Sequence, residues 1–164
     1  MTLRKTTRAG RALMALGALT MAGLLPATAD AAILNSDLEV ISGDPDPAPP
    51  GALAPVRALI ANLGPATTTA RFTVNVQLPE GTTAESPFYP DNCHVLPGSR
   101  GRRVRCTVPA RLAPERTASV LIPARIGQDT ESGTLSGGLV QIVAPLDDRT
   151  PDNNEAPFTI AVVE

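Results

Sequence analysis

Apolar and polar residues alternate strictly from Arg71 to Leu78. Phe72, Val74, Val76 and Leu78 fall on one face and Arg71, Thr73, Asn75 and Gln77 on the other. A period of two is the signature of a strand with one buried face. Thr117 to Ile126 repeats it, with Ala118, Val120, Ile122, Ala124 and Ile126 inward. Pro123 on its outer face predicts an edge strand or a bulge, because proline brings no donor to a ladder. Val104, Cys106 and Val108 alternate with Arg103, Arg105 and Thr107, and Phe158, Ile160 and Val162 with Thr159 and Ala161. Shorter strands are predicted at Asp37 to Ile41, Val56 to Ala61 and Leu139 to Ala144, the last entered through Gly137-Gly138, a pair suited to a bulge.

Turn chemistry separates these segments. Gly43 to Gly51, Asn62-Leu-Gly-Pro65, Pro79-Glu-Gly81 and Asp147 to Asn154 are rich in proline, which fixes φ, in glycine, which allows positive φ, and in Asp and Asn, which bond nearby amides. The chain has 17 prolines, which argues against long helices. About seven strands with a turn every ten or so residues predict an all-β fold, an Ig-like antiparallel β-sandwich. Phe88 and Tyr89, in Pro87-Phe-Tyr-Pro90, are expected to cover one end of it.

"IANLGPATTTARFTVNVQLPEGT" (Ile60 to Thr82), "CTVPARLAPERTASVLIPARI" (Cys106 to Ile126) and "TPDNNEAPFTIAVV" (Thr150 to Val163) carry landmarks in a particular order: Asn-x-Gly-Pro, leucine-Pro-Gly, a pair of cysteines and Pro-x-Asn-Asn. In this the chain resembles the domain-of-unknown-function-eleven repeat, an Ig-like module of bacterial surface proteins, and the related cell-adhesion CARDB domain. The likeness spans roughly Leu38 to Val163. It implies a binding, adhesive or structural role at or outside the cell surface. The chain departs from the family at Leu112-Ala-Pro-Glu115, where Leu-x-Pro-Gly is usual, and in holding one copy where stalks hold several.

The N-terminus adds a location. Arg4, Lys5, Arg8 and Arg11 precede the uncharged run Ala12 to Leu25, then Pro26 and Ala27-Thr-Ala29. A positive start, an apolar run too short to span a bilayer and an A-x-A site read as a signal peptide over residues 1–29, cut after Ala29. A short segment, 30–36, then leads into the domain at 37–164. Cleavage removes four of the 14 basic residues and none of the 16 acids, leaving 10 arginines, no lysine and a net charge of −6. That balance disfavours nucleic acid and anionic membranes as partners, both of which need a large positive field. No later apolar run is long enough to span a membrane, so the mature chain is expected to be secreted.

The stretch Asp91 to Cys106, "DNCHVLPGSRGRRVRC", concentrates the chemistry, with both cysteines, the single histidine and four arginines. Cys93, His94 and Cys106 are too few for a structural zinc site, and a reduced catalytic thiol does not suit an oxidising compartment. A turn at Gly98 to Gly101 sets Cys93 opposite Cys106, His94 opposite Arg105 and Val95 opposite Val104. Directly opposed strand residues lie within disulfide reach, so a Cys93–Cys106 bridge is expected. Arg100, Arg102, Arg103 and Arg105 then form a positive patch on an acidic protein, a candidate site for a cell-wall polyanion or an acidic protein surface. The plainer alternative is a solvated hairpin whose charges keep the strand from pairing with other chains.

Asp147, Asp148, Asp152, Asn153 and Asn154, with Asp44 and Asp46 near the start, could offer oxygens to calcium, but match no EF-hand spacing. No cofactor is indicated, and the expectation is a non-catalytic module. The alternative is a small secreted hydrolase using His94 or an acidic pair; no Gly-x-Ser-x-Gly elbow accompanies that histidine. The partner and the oligomeric state are not written in the sequence.

Overall fold

The computed structural model describes residues 35–143, 148 and 150–164. The leader expected over 1–29, most of the segment 30–36, and Asp147 of the acidic turn lie outside the described residues.

Nine strands occur among the described residues: β1 (Leu38–Ser42), β2 (Leu53–Asn62), β3 (Phe72–Gln77), β4 (Thr82–Ala84), β5 (Cys93–Val95), β6 (Arg103–Val108), β7 (Thr117–Ile126), β8 (Gly133–Val143) and β9 (Glu155–Val162). They form two antiparallel sheets, β1-β2-β7-β4 and β5-β6-β3-β8-β9. The alternation seen in the sequence builds the layer between them. Val56, Ala58, Ile60, Val120, Ile122 and Ile126 from one sheet bury against Phe72, Val74, Val76, Val104, Ile142, Phe158 and Ile160 from the other. All nine large residues of β3, β7 and β9 expected inside, from Phe72 to Val162, are buried. The count of about seven strands falls short by β4 and β5, whose three residues each are too few to display a period of two.

Pro123 lies in a strand flanked by β2 and β4 and makes no bulge, a departure from the expected edge or bulge. It faces Pro55 across the β2 ladder, so neither N–H is missed there. On the other side its carbonyl accepts from Glu85 N at 2.9 Å, just past the last β4 pair, Ala84 with Ala124. The proline thus stands where the β4 ladder stops and loses one reciprocal bond. Gly137-Gly138 does form the expected irregularity: the β8–β9 register shifts between Leu135 and Gly138. Gly137 adopts φ +89°, and a Cβ on Gly138 would lie 2.6 Å from the Phe158 ring.

One polar side chain ties the connections to the sandwich. Asn62, fully buried at the end of β2, accepts from Asp37 N and Gly64 N through Oδ1, each at 3.1 Å. Its Nδ2 donates to Ala66 O at 2.7 Å and Leu112 O at 2.8 Å. The amide therefore meets its full complement of partners, two donated and two accepted. Beside it, the N-terminal segment passes so close to Gly64 that a Cβ there would lie 2.5 Å from Asn35 O and Asp37 N. The buried Thr68 completes the arrangement, its Oγ1 accepting from Arg111 N and Leu112 N. Glu115 donates its N–H to Asn62 O with φ +58°, the left-handed conformation where the resembled family carries glycine.

Two substitutions test this frame by urea unfolding. Val120→Asp places an unpaired carboxylate among apolar side chains and should cost roughly 4 kcal/mol or prevent folding. Asn62→Asp keeps the shape but removes both donors, leaving Ala66 O and Leu112 O without their partner; a loss of about 3 kcal/mol is expected, and an unchanged midpoint would contradict the role given to Asn62.

Candidate functional site

The outer face of the five-stranded sheet is laid out by register. Val104, Cys106 and Val108 point inward, so Arg103, Arg105 and Thr107 must point outward beside Thr73, Asn75 and Gln77 of β3. One row across the sheet reads His94, Arg105, Asn75, Gln141, Glu155. Arg105 Nε donates to Asn75 Oδ1 at 3.0 Å, and Gln141 Nε2 to Glu155 Oε2 at 3.3 Å. The row is basic at the β5–β6 edge and acidic at the β9 edge. Arg103 lies one step along, opposite Gln77.

The β5–β6 hairpin presents the remaining arginines. Cys93 pairs with Cys106, His94 with Arg105 and Val95 with Val104, the register predicted from the sequence. Cys93 and Cys106 are disulfide-bonded. Leu96 N donates to Arg103 O, Arg102 N to Ser99 O and Ser99 Oγ to Leu96 O, closing a turn in which Gly98, Arg100 and Gly101 all take positive φ. The turn is anchored laterally, since Leu78 N donates to Arg102 O and Ala84 N to Gly101 O, each at 2.8 Å. A shallow pocket of about 320 Å³ lies along it, lined by Gln77, Leu96 to Arg100, Arg102 and Arg103.

Three of the four candidate arginines, Arg100, Arg103 and Arg105, are exposed, and Arg102 is half-buried. Among the described residues the ion pair is elsewhere, between Arg125 and Glu85. Arg125 is bidentate to Glu85 at 2.7 Å and also reaches Gly51 O, bracing β4 against β7. Hydrogen bonding from Arg125 holds the Glu85 carboxyl below the ordinary carboxylate range. Asn75 and Gln77, which share the arginine face, were visible in the sequence only as the polar side of their own strand; that they neighbour Arg103 and Arg105 depends on pairing between distant segments.

The other candidates are dispersed. His94 stands exposed opposite Arg105. Phe88 packs against the core as expected, whereas Tyr89 is 61% exposed and does not cover the sandwich end; its backbone forms a bridge with Leu121. Asp44 Oδ1 accepts from Thr159 N. Asp148 accepts from Thr150 N and Asn154 Nδ2, and Asn153 Nδ2 donates to Asp37, so these residues join the turn before β9 to the start of β1. Asn153 Oδ1, Asn154 Oδ1 and Ser36 Oγ are buried and have no hydrogen-bond partner among the described residues. Asp152 is exposed. No group of three or more His, Cys, Asp or Glu residues able to hold a metal occurs among the described residues.

No family model matches the sequence, and no curated protein matches it. Solved structures share the fold. The CARDB domain of a Pyrococcus furiosus protein, crystallised in complex with di-metal ions, is 18% identical with a TM-score of 0.51, covering 79% of this chain and 94% of that one. The third cohesin of ScaC from Acetivibrio cellulolyticus, in complex with the ScaB dockerin, is 11% identical with a TM-score of 0.56, covering 77% and 99%. The OlpC cohesin of Clostridium thermocellum, in complex with a dockerin, is 12% identical with a TM-score of 0.51, covering 79% and 97%. The chain is thus an all-β sandwich with the CARDB-like Ig-like fold its landmarks resemble.

The staple can be checked directly. Alkylation of the denatured, unreduced protein should find no free thiol, and the double variant Cys93→Ala with Cys106→Ala should lose about 3 kcal/mol of unfolding free energy through the larger entropy of its unfolded chain.

Proposed function

We propose that this chain is a secreted, non-catalytic Ig-like binding module of the bacterial cell exterior that holds an acidic surface of a protein partner on its arginine hairpin. The observation that carries the reading is the placement of Arg100, Arg102, Arg103 and Arg105 on one hairpin of a rigid sheet, with no ion-pair partner among the described residues. Guanidinium groups free of internal carboxylates are available for bidentate contacts to another molecule's. The cohesin neighbours were solved holding dockerins, which supports a protein as the partner. A CARDB domain and cohesins are modules without catalysis, which supports this reading over a hydrolase built on His94 or an acidic pair. Export rests on the Arg4 to Ala29 leader and agrees with the disulfide, which persists in oxidising compartments.

A narrower observation favours calcium at the turn before β9: the buried oxygens of Asn153, Asn154 and Ser36, without a partner among the described residues, lie in the same connections as Asp148 and Asp37. Asp147, Asp148, Asp152, Asn153 and Asn154 remain the candidate ligands.

Retention on the producing cell's envelope fraction tests the main reading. The wild-type protein should be retained and should elute steeply with salt, since exposed charge attraction is screened within about 8 Å at physiological ionic strength. Replacing Arg100, Arg102, Arg103 and Arg105 together with serine should abolish retention while leaving the melting temperature within a few degrees, because exposed charges contribute little to stability. Protease treatment of the fraction should remove the sites; survival of binding would indicate a wall polyanion instead. Equal retention of the quadruple variant would overturn the reading, and dependence on added calcium would move the site to the Asp147 to Asn154 turn.

A further inference from the structure

Among the described residues, the interior strand β7 leaves a stretch of its backbone unpaired beside an open groove. In β7, Asn62 N donates to Arg116 O on the β2 side, and Leu121 exchanges both of its backbone bonds with Tyr89 on the opposite side. Strand parity therefore turns the N–H and C=O of Thr117 and Ser119 away from β2, toward the side where Tyr89 bonds Leu121. The β4 ladder covers only Ala124 to Ile126 of that side, and the chain beyond Tyr89 turns into β5. Thr117 and Ser119 have no backbone partner there among the described residues. A groove of about 400 Å³ runs beside them, walled by Tyr89 and Pro90 at one end and by Val108 to Leu112 along its length. Arg111 is its one charged lining residue.

We infer that this free edge of β7 is a second binding site, which takes an extended segment of a partner protein as an added antiparallel strand. Its backbone continues the ladder begun by Tyr89 and forms four hydrogen bonds, two with Ser119 and two with Thr117. Unpaired peptide groups in a row select another peptide backbone, the logic of strand addition to a sheet edge. The side chains of the groove set the remaining chemistry. Tyr89, Pro109 and Leu112 present apolar surface to one set of alternate residues, and Arg111 selects a carboxylate on the residue between them. The occupant is thus a short extended segment of alternating apolar residues that carries an acid.

This site shares no residue with the arginine hairpin, so it stands or falls independently of that reading. The probe is a capped peptide, acetyl-Thr-Val-Asp-Val-Thr-amide, added to isotopically labelled mature protein. The Thr117 and Ser119 amides should exchange quickly in the free protein and at least tenfold more slowly when the peptide is saturating, with shifts confined to β7, Tyr89 and the Pro109 to Leu112 loop. The same peptide N-methylated at both valines should bind at least tenfold more weakly. Ser119→Pro removes only the outward donor, as Pro123 does naturally, and should weaken binding by a similar factor without changing the melting temperature. The quadruple arginine-to-serine hairpin variant should bind the peptide as the wild type does. Absence of binding at millimolar peptide, equal binding of the N-methylated form, or protection of Thr117 and Ser119 that grows with protein concentration alone would each overturn the proposal; the last would assign the edge to a second copy of this chain.

Discussion

The side chain of Asn62 is the point on which the connections of this sandwich converge. It bonds at once to the start of β1, to the turn that follows β2, and to the Leu112 loop that precedes β7, so three segments remote in sequence are fixed by one amide. A buried amide is stabilising only when every one of its hydrogen-bonding groups is met, because the low dielectric that strengthens each bond also raises the penalty for a missing one. Hydrophobic packing is permissive about detail, whereas this arrangement is not. The neighbouring Gly64 has the same character: the N-terminal segment lies so close that any side chain would displace it.

From that frame the two sheets follow by parity. Each strand contributes alternate residues to a shared apolar layer, and the opposite residues are committed to the outside whether or not they have work there. The arginines of β6 are an instance. Because Val104 and Cys106 are buried without exposure, Arg103 and Arg105 are fixed on the outer face by the pleat alone. The disulfide then attaches the three-residue β5 to β6 from the inner side, and the bonds from Leu78 and Ala84 hold the turn beyond it. A positive surface on an acidic chain is thus carried on backbone that has little freedom to rearrange, which lowers the ordering cost of any contact it makes.

What could be read in the sequence was whatever depends on local period or local turn chemistry. The long alternating strands declared themselves, as did the Gly137-Gly138 bulge and the opposition of Cys93 to Cys106, all decided within a few residues. The order of strands was not legible, because pairing β3 with β6 and β8 involves segments tens of residues apart. For the same reason Asn62 was recognisable as a turn residue but not as a hub: its partners Asp37 and Leu112 stand 25 and 50 positions away. The setting of Pro123 was not legible either, because the ability of a strand to tolerate proline depends on which neighbour its missing donor faces. Tyr89 shared its motif with Phe88, yet the chain turns one ring inward and leaves the other in solvent.

Three of the four outer sheet edges, all but β1, are guarded. On one sheet, β5 is three residues long, ends in a charged turn and has its residue Cys93 locked to β6. On the same sheet β9 is covered by Ala48, which exchanges bonds with Ala161 and Val163. On the other, β4 is three residues long and runs into Pro87 and Pro90, residues that cannot donate. Short, charged or proline-blocked edges are the usual means by which β proteins avoid indiscriminate pairing. Against that economy the open stretch of β7 beside Tyr89 stands apart: it belongs to an interior strand, lies in a groove with an apolar wall and a single cation, and carries no proline between Thr117 and Ile122. Tyr89 and Pro90 at one end and Val108 to Leu112 along the side leave the groove open beside this backbone, a shape that suits a chain in extended form.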